Sequence, residues 1–319
     1  MRRIVRRSMF RTAWNTALIL FAGWIVVWFV SVLVLQPTLV NRGGRAADTA
    51  RMSIDLTQML NPGLTLTEGR ISSGLLSREV ETQYAMPVGA GLRPVTITTM
   101  TIGALGIDTA DAPDLRFPLP PGPGVEGDAL DRLENLGAGT VATVAVRYGT
   151  SLTVDAAHEI ADDPAADVRV VWAGFDVTLG REFGPTWTNA GTLGYGTCNA
   201  LEPLDDELLG ATSAGFTGTA VFATSSIDRA LQSVIAALEN IEARPELAEY
   251  VVGPPFDEDP DELAEILTDL RTAPVVNSLV VTGPTPAVSE FVADARDSGA
   301  TANVLAVDFY DWNEGICGR

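Results

Sequence analysis

The chain has 319 residues, with 41 acidic against 21 basic side chains and a formal net charge of −20 at pH 7. Every basic residue is an arginine and one histidine occurs, so a nucleic-acid surface, which needs clustered positive charge, is excluded and an ordinary zinc site is disfavoured. No CxxC pair, G-x-S-x-G elbow or Walker A loop is present; no catalytic residue, metal ligand or cofactor is therefore expected, and the chain reads as a non-enzyme.

The first element reads as a membrane anchor. Arg2, Arg3, Arg6, Arg7 and Arg11 precede an uncharged run from Thr12 to Gln36 whose apolar heart is Ala17–Leu35. About 20 apolar residues rise roughly 30 Å as a helix, the thickness of bilayer hydrocarbon. Basic flanks stay in the cytoplasm, so residues 1–12 are expected inside, 13–36 in the membrane and the remainder outside. The rival reading is a cleaved signal peptide, which has a shorter core and a small-residue cleavage site; Val34-Leu35-Gln36-Pro37 offers no A-x-A pattern. Both readings export the bulk of the chain. Five of the 21 arginines precede the span, so 16 remain against all 41 acids outside it, a formal charge of −25.

Residues 37–117 read as a membrane-proximal, strand-rich segment. Arg45–Leu60 has amphipathic spacing (Ala47, Ala50, Ile54, Leu56, Met59) and ends at Asn61-Pro62-Gly63, which predicts a helix and its stop. Leu64–Ile71, Glu79–Pro87 and Pro94–Leu105 are rich in Thr, Val and Ile and predict strands. The run 118–125, Pro- and Gly-rich, sustains neither helix nor central strand and reads as a linker, or as a rigid loop within one compact unit.

Residues 126–319 read as an α/β (or α+β) domain with a mixed sheet. Thr140–Arg147 and Val168–Phe175 predict strands around a helix at Thr153–Ala161, and Phe216–Thr224 a further strand. Gly191–Thr197 reads as a flexible loop. Ser226–Ala243 predicts a capped helix with Ala230, Leu231, Val234, Ile235, Leu238 and Ile241 on one face. A helix at Asp261–Arg271 follows. Val275–Thr282, Pro286–Ser298 and Ala302–Phe309 then form a strand–helix–strand run of βαβ length, for which parallel strands are expected.

Cys198 and Cys317 are expected to pair outside the cell, closing a loop of about 120 residues worth on the order of 4–5 kcal/mol in the chain-entropy model; two separate buried thiols are the alternative. His158, among Asp155, Glu159 and Asp162, reads as a solvated helix position or a pH-sensitive contact. Asp257–Glu262 reads as the charged first turn of a helix or a Ca²⁺-binding run. Val281–Pro286 reads as a tight strand-to-helix turn or an anion site. Asp308, Tyr310, Asp311 and Trp312 form an acidic and aromatic cluster, candidates for an interaction surface.

Three segments resemble the bacterial sigma factor regulator family, the membrane-anchored anti-sigma-like proteins. They are Arg147–Ile160 followed by the strand Val170–Val177, then Val280–Thr285, then the closing Val307–Trp312. The resemblance implies an N-terminal anchor region, a C-terminal regulator domain and a protein partner in a sigma factor pathway. A tail of eleven residues is too small to wrap a sigma factor, so regulation would act through that partner. The expected partners are the membrane and a protein, with no nucleic acid. A membrane-anchored exported enzyme and a structural envelope-assembly protein are the alternatives.

Overall fold

A computed structural model describes residues 2–31, 34, 40, 45–74, 76–89, 91–103, 107–108, 129–162, 167–177, 191–197, 213–217, 226–245, 247 and 260–309. In chain order the elements begin with α1 (Arg2–Val30), α2 (Arg45–Leu60), β1 (Thr65–Ser73), β2 (Ser77–Val88), β3 (Gly91–Gly103) and β4 (Ile107–Asp108). They continue with α3 (Ala129–Glu134), β5 (Val141–Thr153), α4 (Val154–Asp162), β6 (Arg169–Asp176), β7 (Thr192–Gly196) and β8 (Ser213–Thr217). The last five are α5 (Ile227–Ala243), α6 (Pro260–Thr272), β9 (Val275–Pro284), α7 (Thr285–Asp297) and β10 (Thr301–Asp308).

The strands form two five-stranded sheets, ordered β4-β3-β2-β1-β8 and β10-β5-β9-β6-β7. The α/β class is as expected, but the mixed sheet is not: every pairing among the described strands is antiparallel. The strands β9 and β10 do run in the same direction, yet both pair with β5, which lies between them. Likewise β9 separates β5 from β6. Two split βαβ units therefore interlock, β5-α4-β6 and β9-α7-β10. A helical crossover fixes strand direction, and a third strand inserted between the two makes each contact antiparallel.

The first sheet begins as a simple meander. Along β2 burial alternates from Ser77 to Tyr84, then becomes continuous from Ala85 to Val88. Alternation marks a sheet with one wet face; the continuous stretch marks where the β2–β3 hairpin enters the space beside the second sheet. There Gly89, at φ +60°, takes a conformation open to glycine, and its N–H donates to Thr282 Oγ1 at 2.8 Å. Thr143 Oγ1 donates to Pro87 O at 2.6 Å and lies 2.9 Å from Thr282 Oγ1. The strand β8, from a distant part of the sequence, completes this sheet by pairing with β1.

The second sheet carries the main core on its helical face. The α5 stripe of Ile227, Ala230, Leu231, Val234, Leu238 and Ile241 is buried there with Val170, Phe175, Val281 and Val292. Ser226 caps α5, its side chain accepting from Arg229 N at 3.3 Å. On the opposite face Trp172 packs with Ala145, Val171 and Val280. The segment Gly191–Thr197, expected as a loop, contains the buried strand β7. Gly194 is structural, since an added Cβ there would strike the Trp172 ring and Ala173 O.

Helix α2 sits between these layers. Ala50 and Ile54 join the core of the first sheet, whereas Met52, Leu56 and Met59 join that of the second. Helix α1 behaves differently: every described side chain from Trp14 to Val30 is exposed. Among the described residues no helix is long and apolar enough to cross a membrane. The span expected at 13–36 is therefore not shown.

Candidate functional site

Several expected site residues lie outside the described ones: Cys198 and Cys317, Tyr310, Asp311 and Trp312, and Asp257 to Asp259. The backbone of Arg2, Arg3, Arg6, Arg7 and Arg11 is in α1. Asp308 ends β10 opposite Val141, and its Oδ1 accepts from Phe309 N at 2.8 Å. His158 Nε2 lies 3.2 Å from Asp228 Oδ2 of α5. The Val281–Pro286 turn spends its polar groups internally: Thr285 N donates to Thr140 O, and the two threonine hydroxyls meet at 2.7 Å. An anion at that helix start would have to displace these bonds. Among the described residues no group of three or more His, Cys, Asp or Glu side chains is gathered to hold a metal ion.

The structure brings together two features that spacing did not reveal. The first is a buried polar joint on α2. Asp55 is only 9% exposed, and its Oδ1 accepts from the Tyr195 hydroxyl at 3.1 Å. Gln58 Nε2 donates to the same Tyr195 oxygen at 3.1 Å, and Trp172 Nε1 donates to Gln58 O at 3.3 Å. Removal from water disfavours the charged carboxylate and raises the Asp55 pKa to about 7, against the opposing pull of the Tyr195 hydroxyl and Arg51. Burial and the nearby Asp55 push the Tyr195 phenol upward, and burial does the same to Tyr84. This joint can hold or release one proton near neutral pH. Its partners are 140 residues apart, and no local pattern around Asp55 announces them.

The second is a groove of about 670 Å³ on the helical face of the second sheet. It lies where β5 runs past the end of β10 and bulges against β9. Pairing with β10 starts at Arg147, and the register with β9 breaks between Arg147 and Leu152. Tyr148 and Leu152 therefore line an opening between α4 and α7. Ile160 and Phe291 supply apolar surface, and Asp167, Glu290 and Asp294 also line it. Burial pushes the Tyr148 phenol above its ordinary range, so it stays a neutral hydroxyl. A volume of this size suits a small organic molecule, for which pockets run from about 300 to 1,000 Å³. Tyr148–Leu152 and Ile160 fall within the first segment that resembles sigma factor regulators; Phe291 and Glu290 do not.

No protein-family model, curated protein or solved structure matches this chain.

Proposed function

We propose that the protein is a single-pass membrane protein whose acidic extracytoplasmic body senses or binds a ligand, with residues 13–36 as its anchor. The observation that carries this reading is the side-chain exposure of α1. From Trp14 to Val30 it presents aromatic and aliphatic groups on all sides, including Trp24 at 58% and Phe21 at 59% exposed. A helix apolar all round belongs in a protein core or in lipid, and a contiguous exposed apolar surface marks an interaction or membrane surface. The arginines before it and the acids after it supply the orientation. The groove between α4 and α7 is the ligand site in this reading. The sigma factor resemblance suggests the downstream role, modulation of a sigma factor through a partner protein, and is its only support.

Alkaline carbonate washing of membranes tests the anchor. The full chain is expected to stay in the pellet, and a form lacking residues 2–36 to leave it. Release of the full chain by carbonate would overturn the proposal.

A further inference from the structure

We infer that the α4–α7 groove binds an organic cation, an amine or quaternary ammonium on an apolar or aromatic body. This names a ligand class for the sensing role and rests on that reading. Tyr148 and Phe291 provide two aromatic rings and Leu152 and Ile160 the aliphatic walls of a space of about 670 Å³. Aromatic faces attract cations through the ring quadrupole, the physical basis of quaternary-ammonium recognition.

Charge selects the same ligand. Glu290 and Asp294 lie one turn apart on α7, both exposed, and no arginine among the described residues lines the groove. Neither carboxylate is paired with an arginine among the described residues. A neutral apolar ligand would leave these charges unused, and an anionic one would be repelled by them. An organic cation places its apolar body against Leu152, Ile160 and the rings and its charge toward the α7 carboxylates. The Tyr148 hydroxyl makes no hydrogen bond among the described residues and offers an acceptor or donor to a polar substituent.

The test is titration of benzyltrimethylammonium into the full chain in lipid nanodiscs, followed by calorimetry, with benzyl alcohol and phenylacetate as neutral and anionic counterparts. Saturable binding is expected, at least tenfold tighter for the cation than for either counterpart and weaker at high salt. Glu290→Gln with Asp294→Asn should weaken it about tenfold, whereas Glu265→Gln on α6 should leave it unchanged. All three positions are exposed, so these variants are expected to fold. Equal binding of benzyl alcohol would assign the groove to a neutral apolar occupant and overturn the inference. So would an absence of saturable binding, or cation binding indifferent to the Glu290 and Asp294 substitutions. Retention of the protein in carbonate-washed membranes is independent of all these outcomes, so failure of the ligand and failure of the anchor are told apart.

Discussion

The Tyr195 hydroxyl donates to Asp55 Oδ1 at 3.1 Å, tying the helix next after α1 to a buried strand 140 residues later. Both groups are nearly removed from water, at 2% and 9% exposure. A single proton on Asp55 therefore bears on how α2 is held against the second sheet.

The sign of this coupling is fixed by the direction of the shift. The folded protein holds the Asp55 proton more tightly than the unfolded chain, with a pKa of about 7 against 3.8. Its contribution to stability is full below about pH 4 and is lost as pH rises through 7. At about 1.4 kcal/mol per pH unit, the loss is on the order of 4 kcal/mol. Asp55→Asn keeps an acceptor for Tyr195 and removes the charge. Urea denaturation should show the variant more stable than wild type at pH 8 by on the order of 2–4 kcal/mol, the two converging at pH 4. Parallel pH profiles for the two proteins would contradict the burial argument.

Tyr195→Phe removes the donor to Asp55 and the acceptor for Gln58 Nε2 together. Leaving buried polar groups unpaired costs about 1–3 kcal/mol. The loss should be larger at pH 8 than at pH 5, because the ionised carboxylate depends most on the hydroxyl. Denaturant midpoints at the two pH values measure this difference.

Thr282 is one of the residues that join the two sheets. Its Oγ1 accepts from Gly89 N at 2.8 Å and donates to Ala142 O at 3.2 Å. Thr282→Val keeps the shape and strands the Gly89 amide, for an expected loss of about 1–3 kcal/mol in urea unfolding. Thr282→Ser should recover most of it.

Trp172 folds across two glycines. A Cβ at Gly174 would lie 2.6 Å from the indole ring and 2.7 Å from Thr192 Cγ2. Overpacking of this kind costs about 1–3 kcal/mol, so Gly174→Ala should lower the denaturation midpoint and perturb Trp fluorescence. An unchanged midpoint would mean that the ring has room to move.

These glycines show where sequence reading stops. The helix α5 is legible because its apolar spacing and its Ser226 cap are local, and the structure starts it at Ile227. The strand β7 is not, because Gly194 serves a neighbour on β6 and reads locally as a turn signal. Asp55 is concealed for a related reason: α2 is covered on two sides, so Thr49, Asp55 and Gln58 are buried along with its apolar positions. The strand–helix–strand run at the end is legible as elements but not as pairing, since the intervening β5 comes from more than 100 residues earlier. The groove, too, needs three elements to meet, and only the β5–α4 part is a continuous segment.

The most direct measurement of the central claim is labelling of intact cells with a membrane-impermeant maleimide. The reporter is Asp297→Cys, an exposed position at the end of α7, with Cys198 and Cys317 changed to serine. An anchored protein with its folded body outside is labelled in intact cells to the same extent as in lysed cells. Labelling that appears only after lysis would contradict the account.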